Sequence, residues 1–122
     1  MTALSQTLRQ YLERTGLPVY AAEDAPPGTG RPLVTYRLTG SAPGRAACEV
    51  CWHGPGRAAE AAAHLAALMD LFPGRGVLIM GGACCLALPG AWRCGRDSAD
   101  PRACTAALQV EVTLLDARGL SD

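Results

Sequence analysis

Residues 33–72, LVTYRLTGSAPGRAACEVCWHGPGRAAEAAAHLAALMDLF, read as strand, loop, strand and then one long amphipathic helix. In 33–38, Val34, Tyr36 and Leu38 fall on one side and Thr35 and Arg37 on the other, the alternation of a strand with one wet face. The second run repeats it, with Cys48, Val50 and Trp52 opposed to Glu49, Cys51 and His53. Gly54-Pro55-Gly56 then breaks the extended chain and gives a helix a place to begin. Ala58, Ala61, Ala62, Leu65, Leu68, Met69 and Phe72 follow at helical spacing. Glu60 and His64 lie one turn apart on the polar side, the spacing of a solvated pair. Pro73-Gly74 ends the helix. So many alanines let it lie close across the apolar side of the two strands.

Working outward, Leu4, Leu8, Tyr11 and Leu12 make a helical stripe, with Thr2 or Ser5 as cap and Gly16 as stop, which predicts a first helix over 3–15. Residues 17–20 form a short extended piece, and 21–32, with Pro26-Pro27-Gly28, a flexible loop. Beyond the long helix, 77–80 and 83–88 are apolar runs separated by Gly81-Gly82, a two-residue hairpin signal. The turn-rich stretch 89–103 reads as an exposed, flexible loop or long β-connection. Residues 107–115 alternate with Leu108, Val110, Val112 and Leu114 inward, and 117–122 is a frayed tail. The expectation is one α+β domain over 1–122: a mainly antiparallel sheet with two helices on one face, in the order α-β-β-α-β-β-β, with one more short strand possible at Val19-Tyr20.

A formal net charge of zero argues against a general nucleic-acid or membrane-surface binder. All eleven cations are arginine, spread along the chain, which points to coding bias rather than chemistry. The opening MTALSQTLRQYLERTG holds no apolar run long enough for a signal-peptide core, and no stretch reaches the roughly twenty residues of a membrane span. The expected setting is the cytoplasm, where six cysteines are thiols rather than disulfides.

Those cysteines are the tempting chemical signal: Cys48-x-x-Cys51, Cys84-Cys85, Cys94 and Cys104. Residues three apart on a strand face opposite ways, so Cys48 and Cys51 share a zinc ion only if the strand breaks into a knuckle, and Glu49-Val50 supplies no residue that would break it. A thioredoxin-like pair would open a helix, and this one precedes it. Cys51 and His53 form a conceivable nucleophile–base pair, but along a strand they lie side by side rather than converging. No phosphate-binding glycine motif or acid/base carboxylate pair appears. The reading is of a non-enzymatic chain with no catalytic residue, cofactor or metal. Trp92 either anchors a contact with another chain or folds back to cap the sheet.

PLVTYRL at 32–38, CEVCWHG at 48–54 followed by a helix, and DPRACTAALQVEV at 100–112 together resemble the tail terminator, or tail completion, proteins of long-tailed bacteriophages and prophages, often labelled minor capsid or neck proteins. The resemblance spans nearly the whole chain as an order of elements; the cysteines and the Trp92 region depart from it. It implies an α+β virion protein that assembles into a six-membered ring, caps the major tail tube protein and presents a surface to the head–tail connector. It implies a host cytoplasmic location during assembly and the head-proximal end of the tail afterwards, with genome DNA passing through the ring and no sequence-specific nucleic-acid or membrane contact. A head-side head–tail adaptor is the alternative within this class, and a small zinc or thiol-redox module the alternative outside it. An apolar content of 49% fits a chain that hides surface against copies of itself. The outward residues Thr35, Arg37, Glu49, His53, Gln109, Glu111 and Thr113 suit a neighbour's sheet or a ring lumen. The expected subunit-interface residues are Arg37, Glu49, His53, Trp92, Arg93, Arg96 and Glu111, on the sheet and the 89–103 segment.

Overall fold

Each of two helices is followed by three strands in the computed structural model, which describes residues 2–26, 32–97, 100 and 102–115. Helix α1 (Ala3–Leu12) starts where the Thr2 hydroxyl accepts the Ser5 amide at 3.1 Å and buries Leu8, Tyr11 and Leu12. A 3-10 turn (Glu13–Thr15) tightens its end, and Gly16, at φ 78°, supplies the left-handed stop. Strand β1 (Val19–Ala21) runs parallel to β2 (Leu33–Ala42), which forms a long hairpin with β3 (Arg45–Pro55). Helix α2 (Ala58–Leu71) then crosses to β4 (Val77–Met80), β5 (Cys84–Arg96) and β6 (Ala103–Leu114).

The sheet order is β1-β2-β3-β6-β5-β4. The last strand in sequence therefore lies in the middle, antiparallel to both neighbours. Its composition suits that place: Cys104, Ala106, Leu108, Val110 and Val112 are buried on one side and Ala103 and Ala107 on the other. Residues of α1 and α2 join the first set, with Val34, Tyr36, Cys48, Val50, Trp52, Cys85 and Ala87, in a single core. Both helices thus cover the same sheet face. Tyr11 meets Phe72 edge-on at 5.5 Å and donates its hydroxyl to the Leu71 carbonyl, tying the two helices together.

The sheet curls. Six strands span about 24 Å when flat, and a helix is only about 10–12 Å across. Yet α1 touches β1 and β2 at one edge and β4 and β5 at the other. Thr7 of α1 accepts the Ala83 amide at 3.0 Å beside the β4–β5 turn, while Ser5 meets the Tyr36 hydroxyl at 3.2 Å on β2. The helix lies in the trough and bridges the two edges.

Three local expectations change. The stretch at 89–103, expected as an exposed, flexible loop or a long β-connection, is mostly strand: β5 continues through Arg96 and β6 starts at Ala103. Pro89-Gly90 reads as a break in the sequence, but it marks a bulge, since Pro89 and Trp92 oppose Val110 and Leu108. That one extra residue shifts the phase of β5 and puts Arg93 on the outer face. In the loop expected at 21–32, Ala21 belongs to β1 and Ala22–Asp24 form a 3-10 turn; residues 27–31 and the tail 117–122 lie outside the described residues. His64 does not pair in solvent with Glu60: its ring stacks on Trp52, centroids 3.7 Å apart and planes 11° from parallel.

Candidate functional site

The face that no helix covers has a polar centre and an apolar margin. Its centre is Glu49 on β3, whose carboxylate accepts the Gln109 amide at 2.8 Å and the Cys51 thiol at 3.5 Å, with the Arg93 guanidinium 3.9 Å away. Arg37 stands directly across the ladder from Glu49. Two same-face positions along β3, beyond Cys51, His53 Nε2 and the Thr35 hydroxyl are hydrogen-bonded at 3.1 Å. These long polar groups lie over small ones. Thr35 and Cys51 are only 6% and 8% exposed although no second layer covers them.

Burial holds His53 below its usual value, against the opposing pull of Asp97 and Glu49. Burial, reinforced by Glu49, pushes the Cys51 thiol up to about 11. The thiol is thus protonated at neutral pH and hydrogen-bonded to Glu49, not to His53. Cys48 faces Val110 within the core while Cys51 faces Ala107 on the outer face, so the pair diverges. Among the described residues no three His, Cys, Asp or Glu side chains converge as a metal site.

The seven expected interface residues divide. Arg37, Glu49, His53, Arg93 and Glu111 share the uncovered face, with His53, Arg93, Arg96, Asp97 and Thr105 around a cleft of about 390 Å³ at the end of the β5–β6 hairpin. Trp92 and Arg96 fall on the helix side of β5 by register, opposite Leu108 and Cys104. Trp92 is nevertheless 58% exposed, in the part of β5 that runs on beyond its pairing with β4. It does not cap the sheet.

The apolar margin is what the sequence reading missed. Leu78 and Met80 on β4 are 60% and 79% exposed, and Leu86 and Leu88 of β5 continue their strip on the outer face. The signal was present in Val77-Leu78-Ile79-Met80: four apolar residues on a strand cannot all face one core, so alternate ones must point away from it.

Glu49→Ala is expected to lower the unfolding free energy by about 1–3 kcal/mol, because it removes the acceptor of the Gln109 amide and of the nearly buried Cys51 thiol, while its long ion pair to a largely exposed arginine adds little. Urea titration of the two proteins checks this; a loss several times larger would make Glu49 a structural keystone.

No family model matches the chain, and no curated protein matches it. One solved structure is similar over 93% of this chain and 92% of its own, at 17% identity and a TM-score of 0.58; its designation names no activity. A likeness at that identity is one of fold. No helix among the described residues is long and apolar enough to cross a membrane.

Proposed function

We propose that this chain is a structural subunit of a long-tailed phage or prophage: a tail terminator that forms a ring, caps the tail tube and meets the head–tail connector. The observation that carries the reading is the order of elements around PLVTYRL, CEVCWHG and DPRACTAALQVEV, combined with a sheet whose second face none of the described residues covers. A mainly antiparallel sheet with its helices on one face leaves the other face and both edges to neighbouring subunits, which is what ring assembly needs. Buried, protonated thiols and a face built of hydrogen-bonded polar groups suit a binding role better than a catalytic one. The partners are further copies of the chain, the major tail tube protein and the head–tail connector, encountered in the bacterial cytoplasm during assembly.

Purified chain added to polymerising tail tube protein tests this. Negative-stain images are expected to show density at one end of each tube and a distribution of tube lengths that stops growing. Tubes that elongate unchanged, with bare ends, would refute the reading.

A further inference from the structure

The sheet ends in two short edges of unlike chemistry. Among the described residues strand β4 pairs only with β5, and it carries the exposed Leu78 and Met80. Two cations flank it: Arg75, exposed in the turn just before the strand, and Arg14, which lines the groove of about 230 Å³ between α1 and β4. Among the described residues strand β1 pairs only with β2, and its one outward side chain is Tyr20, which lies beside Thr35 on the uncovered face. Exposed Glu23 and Asp24 follow it directly and share their groove with Arg37. One edge is therefore apolar and basic; the other carries an aromatic ring and a net acidic groove.

This asymmetry selects the partner. Two β4 edges meeting about a two-fold axis would set one basic edge against another and offer neither Arg14 nor Arg75 a carboxylate of the β1 edge. A β4 edge meeting a β1 edge sets them against Glu23 and Asp24. It also places Tyr20 on the same face as Leu78 and Met80, a favourable aromatic–aliphatic neighbour across strands. The two strands are three and four residues long, so their spans match.

We propose that the β4 edge of one copy docks on the β1 edge of the next, with Leu78 and Met80 packed beside Tyr20 and with Arg14 and Arg75 facing Glu23 and Asp24. The contact is head-to-tail and uses different surfaces on its two sides, so repetition closes a ring or extends a filament. Closure into a ring rests on the tail-terminator reading; the contact itself rests on the edges.

Sedimentation velocity on the full chain over a range of concentrations tests it, with Met80→Asp as a chain lacking the β4 edge and Glu23→Arg/Asp24→Arg as one lacking the β1 edge. All three positions are exposed, and unchanged melting curves confirm that each variant folds. The unaltered chain is expected to self-associate, and each variant to do so at least about tenfold more weakly. Mixed together, the two variants each keep one sound edge and are expected to form a one-to-one complex that grows no further. An unaltered chain that stays monomeric at its highest soluble concentration, variants that associate undiminished, or a mixture that yields no complex would each overturn the proposal. If the contact holds but tube ends stay bare, the tail-terminator reading fails alone. If tubes are capped equally by Met80→Asp, the contact fails alone.

Discussion

Trp52→Ala is expected to lower the unfolding free energy by about 3–5 kcal/mol, the cost of emptying a large aromatic site in a packed core. For a chain of this length that is a fall in melting temperature of roughly 10–20 °C. The indole is 3% exposed and joins β3 to α2 through its stack on His64. Its far edge is held by the backbone: a Cβ on Gly54 would come within 2.7 Å of the ring. Gly54→Ala should therefore also destabilise, by about 1–3 kcal/mol, and mainly when the tryptophan is present. Trp52→Phe is the informative control. Its Nε1 is buried with no hydrogen-bond partner among the described residues, and such a donor costs about 1–3 kcal/mol. Removing that cost offsets part of the lost volume, so phenylalanine is expected to cost less than half as much as alanine. Calorimetry on the two variants decides it; equal losses would mean that the indole N–H has a partner in solution.

The same tryptophan shows where the sequence was informative and where it was not. Period-two alternation assigned Trp52, Val50 and Cys48 to the core side of β3, and burial follows that pattern, because a strand's geometry leaves two choices per residue. The helical stripe from Ala61 to Phe72 was legible for the analogous reason. His64 was not. Its spacing from Glu60 describes the helix alone, whereas its stack on Trp52 depends on how α2 crosses the sheet, which one element's periodicity does not encode. Pro89-Gly90 misled in another way, since the residues that break a strand also build a bulge, and only the partner strand β6 distinguishes them. Of the candidate site, the outward polar residues of β2, β3 and β6 could be read from alternation. The convergence of Gln109 and Arg93 on Glu49 could not, because it needs β6 inserted between β3 and β5. Nor could the exposure of Leu78 and Met80, which follows from β4 being an edge.

Alkaline pH is expected to unfold the protein, and through its cysteines. Burial raises the Cys48 thiol from the usual 9.0 to about 12, and Cys51 and Cys85 to about 11. A raised value in the folded state means that stability is intact below pH 9, where folded and unfolded thiols are both protonated. Above pH 9 the unfolded chain releases protons that the folded one retains, so stability falls until the folded thiols ionise at pH 11–12. For Cys48 alone, moving from 9 to about 12 corresponds to about 4 kcal/mol, a large fraction of the 5–15 kcal/mol that typically holds a domain together. Burial raises Tyr11 as well, which adds to the loss in the same direction. Lysine, the usual complication at high pH, is absent from the chain. Circular dichroism from pH 8 to 12 is expected to show cooperative unfolding above pH 9. Cys48→Ala should be less stable at pH 7, through its lost packing, yet lose stability less steeply as pH rises. A Cys48→Ala protein with the same alkaline slope as its parent would show that this thiol ionises alike in both states, and the assignment of the transition to buried thiols would fall with it.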